Sequence, residues 1–463
     1  MKLSDTLALP LDCGGHGRCG RCKVRVSGRL SPLTAAEQSL LSQEEIQAGY
    51  RLACQCEIEG PYEITEASAT DDAMQICTHF LTAMPTGTYT PQDPLGAAID
   101  VGTTTLAAYW YNLETGTLVA QKAIPNPQRI FGADVISRIE KAGAGQLPQL
   151  SACLRQAVLR LLPPHYERLV ITGNTVMLYL LCGYDPAPLA MPPFSLDHAF
   201  GLRHDAVYFP PCFSAYIGAD IATAIWAAGL FSGGQVTAEK PALLLDAGTN
   251  GEIIVAAGGR LWGCSAAAGP AFEGSQISRG MPSVPGAICH VHADFSYETI
   301  AHAPAKGYCG SGILDMTARL LDCGALDAQG LLTSWPNSDL PALTQDDIRQ
   351  IQLAKAAIAA GCESLLHAAG VTQLDTLYLS GGFGSELNVK SAQRIGLIPP
   401  ARRVVSLGNG AAYGASLLLL HPEWLDDFCA MRSVFTVVEL GNDPRFADAF
   451  IQHMTWEDYH GRK

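Results

Sequence analysis

The sequence predicts an α/β protein in two parts, a small cysteine-rich module followed by a larger, internally duplicated domain. Two observations lead there. Four cysteines crowd the start, as Cys13-Gly-Gly-His-Gly-Arg-Cys19-Gly-Arg-Cys22 and then Arg51-Leu-Ala-Cys54-Gln. Beyond residue 97, three elements occur twice in the same order: an apolar strand closing on Asp and a Gly-Thr turn, a strand closing on Gly, and a Gly- and Ala-rich helix. A repeat of three elements in register is the mark of a duplicated domain.

The length of 463 residues leaves room for two to four domains, and 48% hydrophobic residues supply sizeable cores. A net charge of −14 with no basic run argues against a nucleic-acid partner. No apolar run reaches membrane-spanning length, and the opening Met-Lys-Leu-Ser-Asp-Thr is too polar for a signal peptide. Fifteen cysteines without regular pairing fit a reducing cytoplasm better than a disulfide framework. Those outside the four just quoted read as small buried hydrophobes.

Residues 1–66 form the cysteine module. The spacing C-x5-C-x2-C with a distant fourth cysteine suits a [2Fe–2S] cluster, which needs a tight loop carrying three thiolates and a returning segment carrying the fourth. Gly14, Gly15, Gly17 and Gly20 let backbone N–H groups close around the sulfides. A zinc site would favour two separated CxxC knuckles, and the module has one; scattered buried cysteines are the other alternative. The expected ligands are Cys13, Cys19, Cys22 and Cys54. Cys56 competes, because alternation along Cys54-Gln-Cys-Glu-Ile-Glu puts it on the same side as Cys54. Arg51-Leu-Ala-Cys54-Gln resembles the fourth-ligand segment of ferredoxins with the same spacing, which favours Cys54. Lys23-Val-Arg-Val-Ser alternates as a strand, and Thr34 with Glu37 forms a capping box opening a helix. Residues 67–96, with Pro, Thr, Gly and Asp, read as a linker.

Residues 97–240 and 241–425 are the two halves of the duplication, and 426–463 a tail packed on them. Ala97-Ala-Ile-Asp100-Val-Gly102-Thr103-Thr104 and Leu243-Leu-Leu-Asp246-Ala-Gly248-Thr249-Asn250 each precede a pair of strands. Glycine admits a phosphate close to the backbone, and the hydroxyls and N–H groups donate to it. Asp100 and Asp246 are the expected catalytic carboxylates, holding hydrated Mg²⁺ or orienting water. One such turn is a weak signal, whereas two facing each other clamp the phosphates of one nucleotide. Leu169-Val-Ile-Thr-Gly173-Asn174 matches Leu377-Tyr-Leu-Ser-Gly381-Gly382, where Gly381, Gly382 and Gly384 would let adenosine lie against bare backbone or simply make a tight turn. Gly218-Ala-Asp220 matches Gly410-Ala-Ala, both opening helices. Gly408-Asn-Gly410-Ala-Ala-Tyr-Gly414 carries one residue too many for a dinucleotide fingerprint and reads as helix packing. The loop from Gly269 to Gly280 is either a crossover or a docking surface.

These motifs together resemble the actin/Hsp70/sugar-kinase superfamily, with its duplicated RNase H-like fold. Asn126-Pro-Gln-Arg-Ile-Phe-Gly132-Ala-Asp134-Val-Ile-Ser-Arg138, Ala268-Gly-Pro-Ala-Phe-Glu-Gly274, Gly310-Ser-Gly-Ile-Leu-Asp315 and Val438-Glu-Leu-Gly-Asn-Asp-Pro-Arg-Phe446 are similar to the ATP-dependent reductive activators of corrinoid proteins. The resemblance implies a ferredoxin-like [2Fe–2S] module ahead of the ATPase, with [2Fe–2S], ATP and Mg²⁺ as cofactors. It also implies a low-potential electron donor and, as partner, a Co(II) corrinoid protein of a methyltransferase system, restored to Co(I). Two departures follow. Cys13 lies so near Met1 that the usual first ferredoxin hairpin is missing. Only about 30 residues separate the cluster module from Asp100, where longer members carry a middle domain associated with dimerisation, so a homodimer is put in doubt. Three other functions compete: a small-metabolite kinase, a chaperone-like ATPase with a structural cluster, and the activator of a radical dehydratase or reductase.

Overall fold

The computed structural model describes residues 2–7, 15, 17, 20, 22–67, 85–132, 134–248, 250–336 and 339–456. Cys13, Cys19, His16 and Thr249 lie outside the described residues.

The first module is a three-stranded antiparallel sheet in which Lys23–Leu30 pairs with both Tyr50–Leu52 and Ile58–Ala67. Thr34 caps the helix Ala35–Leu40, and the capping box with Glu37 forms as the sequence implies. The first residues strap this sheet: Leu3 is fully buried, and its N–H donates to the Cys56 carbonyl at 2.9 Å.

The larger part contains two six-stranded sheets with a shared core topology. In the first, Leu95–Val101 is central, flanked by Thr105–Asn112 and Leu118–Pro125 on one side and by parallel Arg168–Gly173 on the other, with Val207–Phe209 and Leu202–His204 beyond. In the second, Ala242–Ala247 is central, flanked by Gly251–Ala257 and Arg260–Ala266, then by parallel Leu374–Ser380 and Ala401–Gly408. Phe435–Val437 extends its far edge. Leu95–Val101 is apolar almost throughout because both faces of its sheet are covered, and its exception is Asp100, near the open end.

The matched helices Ala219–Ala227 and Gly410–Leu420 pack against each other where the halves meet. A β-carbon at Gly414 would overlap the carbonyl oxygen of Thr223, so glycine sets how closely they cross. One core therefore runs from Ala98 and Tyr109 of the first sheet through Ile221 and Ala412 to Leu244 and Ile254 of the second. The helix Pro444–His453 lies along the long helix Gln345–Ala368, where Gln352 and Lys355 bond the carbonyls of Met454 and Thr455. Among the described residues no helix is long and apolar enough to cross a membrane.

Candidate functional site

Duplication puts the two predicted carboxylates at equivalent ladder positions, Asp100 opposite Thr172 and Asp246 opposite Ser380. Asn409 Nδ2 donates to Asp100 Oδ2 at 3.0 Å, and Ser380 Oγ donates to Asp246 Oδ2 at 2.8 Å. Asn409 follows a strand of the second sheet, so Asp100 is held from across the cleft. Gly381 adopts φ +83°, and a β-carbon there would stand 2.6 Å from Asp246 Oδ1. Only glycine meets both conditions. Gly381 thus packs on the acid, Gly382 is exposed, and Gly384 lies beside Ala247.

The first turn is held from three sides. Asn126 donates from its backbone to the Thr104 carbonyl and from Nδ2 to the Gly102 carbonyl, both at 2.8 Å. Buried Arg138 donates from Nη2 to the Thr103 carbonyl at 2.7 Å. Asn174 Nδ2 donates to Thr103 Oγ1 at 2.8 Å, which leaves the Thr103 hydroxyl proton for an incoming oxygen. Thr104 Oγ1 reaches Glu273 Oε2 of the second half at 3.4 Å. In the second turn, the Gly248 N–H donates to the Asn250 carbonyl at 2.9 Å, and the Asn250 side chain bonds Glu252.

Sequence reasoning missed the rest of the acidic cluster. Burial pushes Asp100 up to about 7, the Asn409 bond opposing and the Asp246 charge adding. Asp220 is pushed to about 8 by burial and then by the charges of Asp246 and Asp100. Asp246 is raised by burial against the Ser380 bond, and Glu252 well raised by burial and by Asp220 and Asp246. Asp100, Asp220 and Glu252 are each raised further by a neighbouring acid's charge, so a cation among them would favour their ionised forms. Among the described residues no three His, Cys, Asp or Glu side chains are placed to enclose one. The arrangement suits Mg²⁺, which keeps several waters and reaches protein through one or two carboxylates and the substrate's phosphates. The repeat carried a signal for Asp220: its counterpart in Gly410-Ala411-Ala412 is an alanine, so one half alone bears a carboxylate there.

The Gly269–Gly280 loop is anchored by buried apolar residues. Ala271, Phe272 and Ile277 are buried, Phe272 stacks on Phe383 at 4.9 Å, and the Ser278 N–H donates to Asp347 at 2.7 Å. Apolar residues every few positions anchor the loop in the second half's core, while Gln276, Ser278 and Arg279 remain exposed. The loop also delivers Glu273 to the cleft.

In the cysteine module, the pairing of Lys23 with Leu52 brings Cys22 against Ala53, the residue before Cys54, with the Ala53 N–H donating to the Cys22 carbonyl at 2.8 Å. Both cysteines are buried. Gln55 Nε2 donates to the Gly15 carbonyl at 3.1 Å and lies 3.5 Å from Cys54 Sγ, tying Cys54 to the glycine loop. The donor set fits a thiolate-ligated cluster, because an amide N–H directed at sulfur stabilises a thiolate ligand. The expectation that Cys54 and Cys56 share a side is corrected. Residues 53–55 form a turn rather than a strand, so alternation does not apply, and Cys56 lies among Arg51, Glu37 and Ser31.

Glu37 positions this segment. It is fully buried and accepts from Arg51 Nε at 2.8 Å, Arg51 Nη2 at 3.0 Å, the Leu52 N–H at 3.0 Å and the Thr34 N–H at 2.9 Å. Burial pushes its carboxyl up, but Arg51 and those N–H groups outweigh it and hold Glu37 below its ordinary value. Its contribution to stability is therefore complete above the ordinary carboxylate range and fades as pH falls through and below it. Glu37→Ala leaves the partly buried Arg51 and the Leu52 and Thr34 N–H groups without their acceptor and should cost the module about 3 kcal/mol. The check is denaturant-induced loss of the cluster's visible absorbance at neutral pH, with the wild-type advantage shrinking toward pH 4.

Three family models match the chain. One, described as the C-terminal domain of RACo, the ASKHA domain, matches residues 240–342 and 338–461. The RACo middle region matches 95–232, the first six-stranded half itself. A 2Fe-2S iron-sulfur cluster binding domain matches 2–59. The corrinoid activation enzyme RamQ of Eubacterium limosum is 28% identical, covering 98% of this chain and 95% of that protein. Its alignment runs over 573 positions, more than this chain's 463 residues, so it carries segments absent here. A Co(II) methylated amine-specific corrinoid protein reductase of Methanosarcina barkeri is 28% identical over 59% of each chain. The fold matches that of a solved reductive activator for a corrinoid, iron-sulfur protein with a TM-score of 0.68 at 24% identity, over 99% of this chain and 96% of that one.

Proposed function

The chain belongs to the RACo family, whose models run from residue 95 to residue 461 behind the iron-sulfur domain, and from that premise we propose how it works: it activates a methyltransferase corrinoid protein by ATP-dependent reduction of Co(II) to Co(I). One observation carries the reading, the union in one chain of a cysteine-loop module and a two-turn ATPase cleft. A kinase or a chaperone-like ATPase would leave the first without a task. The radical dehydratase activators would need only two cysteines per chain.

When bound, the [2Fe–2S] cluster accepts one electron from a low-potential donor and passes it on. Plant-type centres lie near about −400 mV, and Co(II) reduction is expected to lie lower, so the transfer needs coupling to ATP. Cys13, Cys19, Cys22 and Cys54 would hold the cluster, with Gln55 donating to the Cys54 sulfur. Gly102, Thr103 and Thr104 would meet the phosphates from one side and Gly248, Thr249 and Asn250 from the other, with adenosine against Gly381 to Gly384. Asp100 and Asp246 would face Mg²⁺ and the attacking water. Beside a bound Mg²⁺, Asp100 and Asp246 would be held ionised, because its charge would offset the burial that raises both carboxyls. Phosphoryl chemistry of this kind is positioning and electrostatics, and cleft closure biases a two-state element that the partner reads. A monomer suffices for this scheme.

Mixing the protein anaerobically with a Co(II) corrinoid protein and a low-potential reductant should give the Co(I) visible spectrum only when Mg-ATP is present. Co(I) formed at equal rate and extent without ATP would reject the coupling. Phosphate transferred to a small metabolite would favour the kinase.

A further inference from the structure

A cleft of about 650 Å³ opens on the first half between the strand Leu118–Pro125 and the helix Leu147–Leu161. Five consecutive residues, Gln121 to Pro125, line one wall. Neighbouring side chains on a strand face opposite sides of the sheet, so a consecutive run meets one cleft only along a free edge. This strand is the last of its sheet, paired with Thr105–Asn112 on one side. On the other, among the described residues, only Thr86 bridges it, at Leu118. The opposite wall presents Gln156, Ala157 and Arg160. The charged residues of the lining are Lys122 and Arg160, both cationic, on a chain of net charge −14.

We propose that this cleft is the docking groove for an extended, acidic segment of the corrinoid protein, which adds as a strand to the Leu118–Pro125 edge. The proposal rests on the function given above. Main-chain bonds to a bare edge supply affinity whatever the sequence. Lys122 and Arg160 select for acidic side chains and against the chain's own predominantly acidic surface. The groove also ends at the phosphate turn. Pro125 and Pro127 line it and flank Asn126, which is fully buried and holds the carbonyls of Gly102 and Thr104. A strand added along this edge thus fixes the residue that positions the turn, and the partner modulates ATP turnover without touching nucleotide.

The test uses a corrinoid protein on which the wild-type chain forms Co(I). The Lys122→Glu/Arg160→Glu double variant should keep basal ATPase within about two-fold and lose the stimulation by that protein. Its Kd should rise at least ten-fold, with a flatter dependence on KCl than the wild type. Hydrogen exchange at the outward amides within 119–124, those not bonded to the Thr105–Asn112 strand, gives a readout independent of the variant's folding, since protection there should appear only on adding the corrinoid protein. Wild-type affinity and stimulation in the double variant would overturn the groove while leaving the function intact. So would protection already present in the isolated chain, which would place another segment of the same chain there. A wild-type chain that neither forms Co(I) nor responds to any corrinoid protein tried would instead bring down the function, and the groove with it.

Discussion

Asp246→Ala is expected to cut ATP hydrolysis by at least about 100-fold, the scale on which removal of one preorganised electrostatic group acts, while fold and cluster spectrum stay as in the wild type. The carboxylate sits where a single substitution separates chemistry from stability. Its strand Ala242–Ala247 is locked by ladders to Gly251–Ala257 and Leu374–Ser380, and its apolar residues are buried. The acid itself adds no apolar contact, and it raises the pKa of both Asp220 and Asp100 by its charge. Removing it relieves that repulsion but leaves the buried Ser380 hydroxyl without its acceptor, so the two effects oppose and melting temperature should change little. Steady-state phosphate release measures the loss, with Mg²⁺ titrated to show that extra metal does not restore it. Wild-type turnover in Asp246→Ala would remove the two-turn clamp from the mechanism.

The duplication was legible because it rests on local patterns. Apolar strands ending in Asp, Gly-Thr turns and small-residue helices all persist as written, and even the capping box of Thr34 and Glu37 forms. Contacts between segments far apart in sequence were not legible. Nothing in Asn409 says that it bonds Asp100 across 309 positions, nor in Glu273 that it reaches Thr104. The second carboxylate pair, Asp220 and Glu252, emerges only once both sheets face one cleft. One expectation failed because periodicity was read where tertiary contacts decide: the Cys54–Cys56 segment turns where alternation predicted a strand.

Cys54→Ser is expected to lose most of the bound iron, the visible absorbance and the EPR signal of the reduced protein, whereas Cys56→Ser keeps all three. The two thiols are both buried and lie two residues apart, so burial does not separate them; their surroundings do. Cys54 follows Ala53, whose N–H bonds the Cys22 carbonyl, and its sulfur receives the Gln55 amide that also grips the glycine loop. Cys56 lies beside the Arg51–Glu37 ion pair, where burial raises its thiol, with the Arg51 charge opposing and the Glu37 charge adding. Cys56 also meets the Ser31 hydroxyl there, while the Gln55 contact to the glycine loop is made beside Cys54. A hydroxyl at position 56 therefore changes packing slightly and ligation not at all. Iron per chain, anaerobic EPR and partner-dependent Co(I) formation should fall together in Cys54→Ser, while basal ATPase persists because its cleft is built wholly from residues beyond 97. Loss of the cluster in Cys56→Ser alone would overturn the ligand assignment. Retention in both variants would mean that the fourth ligand lies elsewhere in the chain.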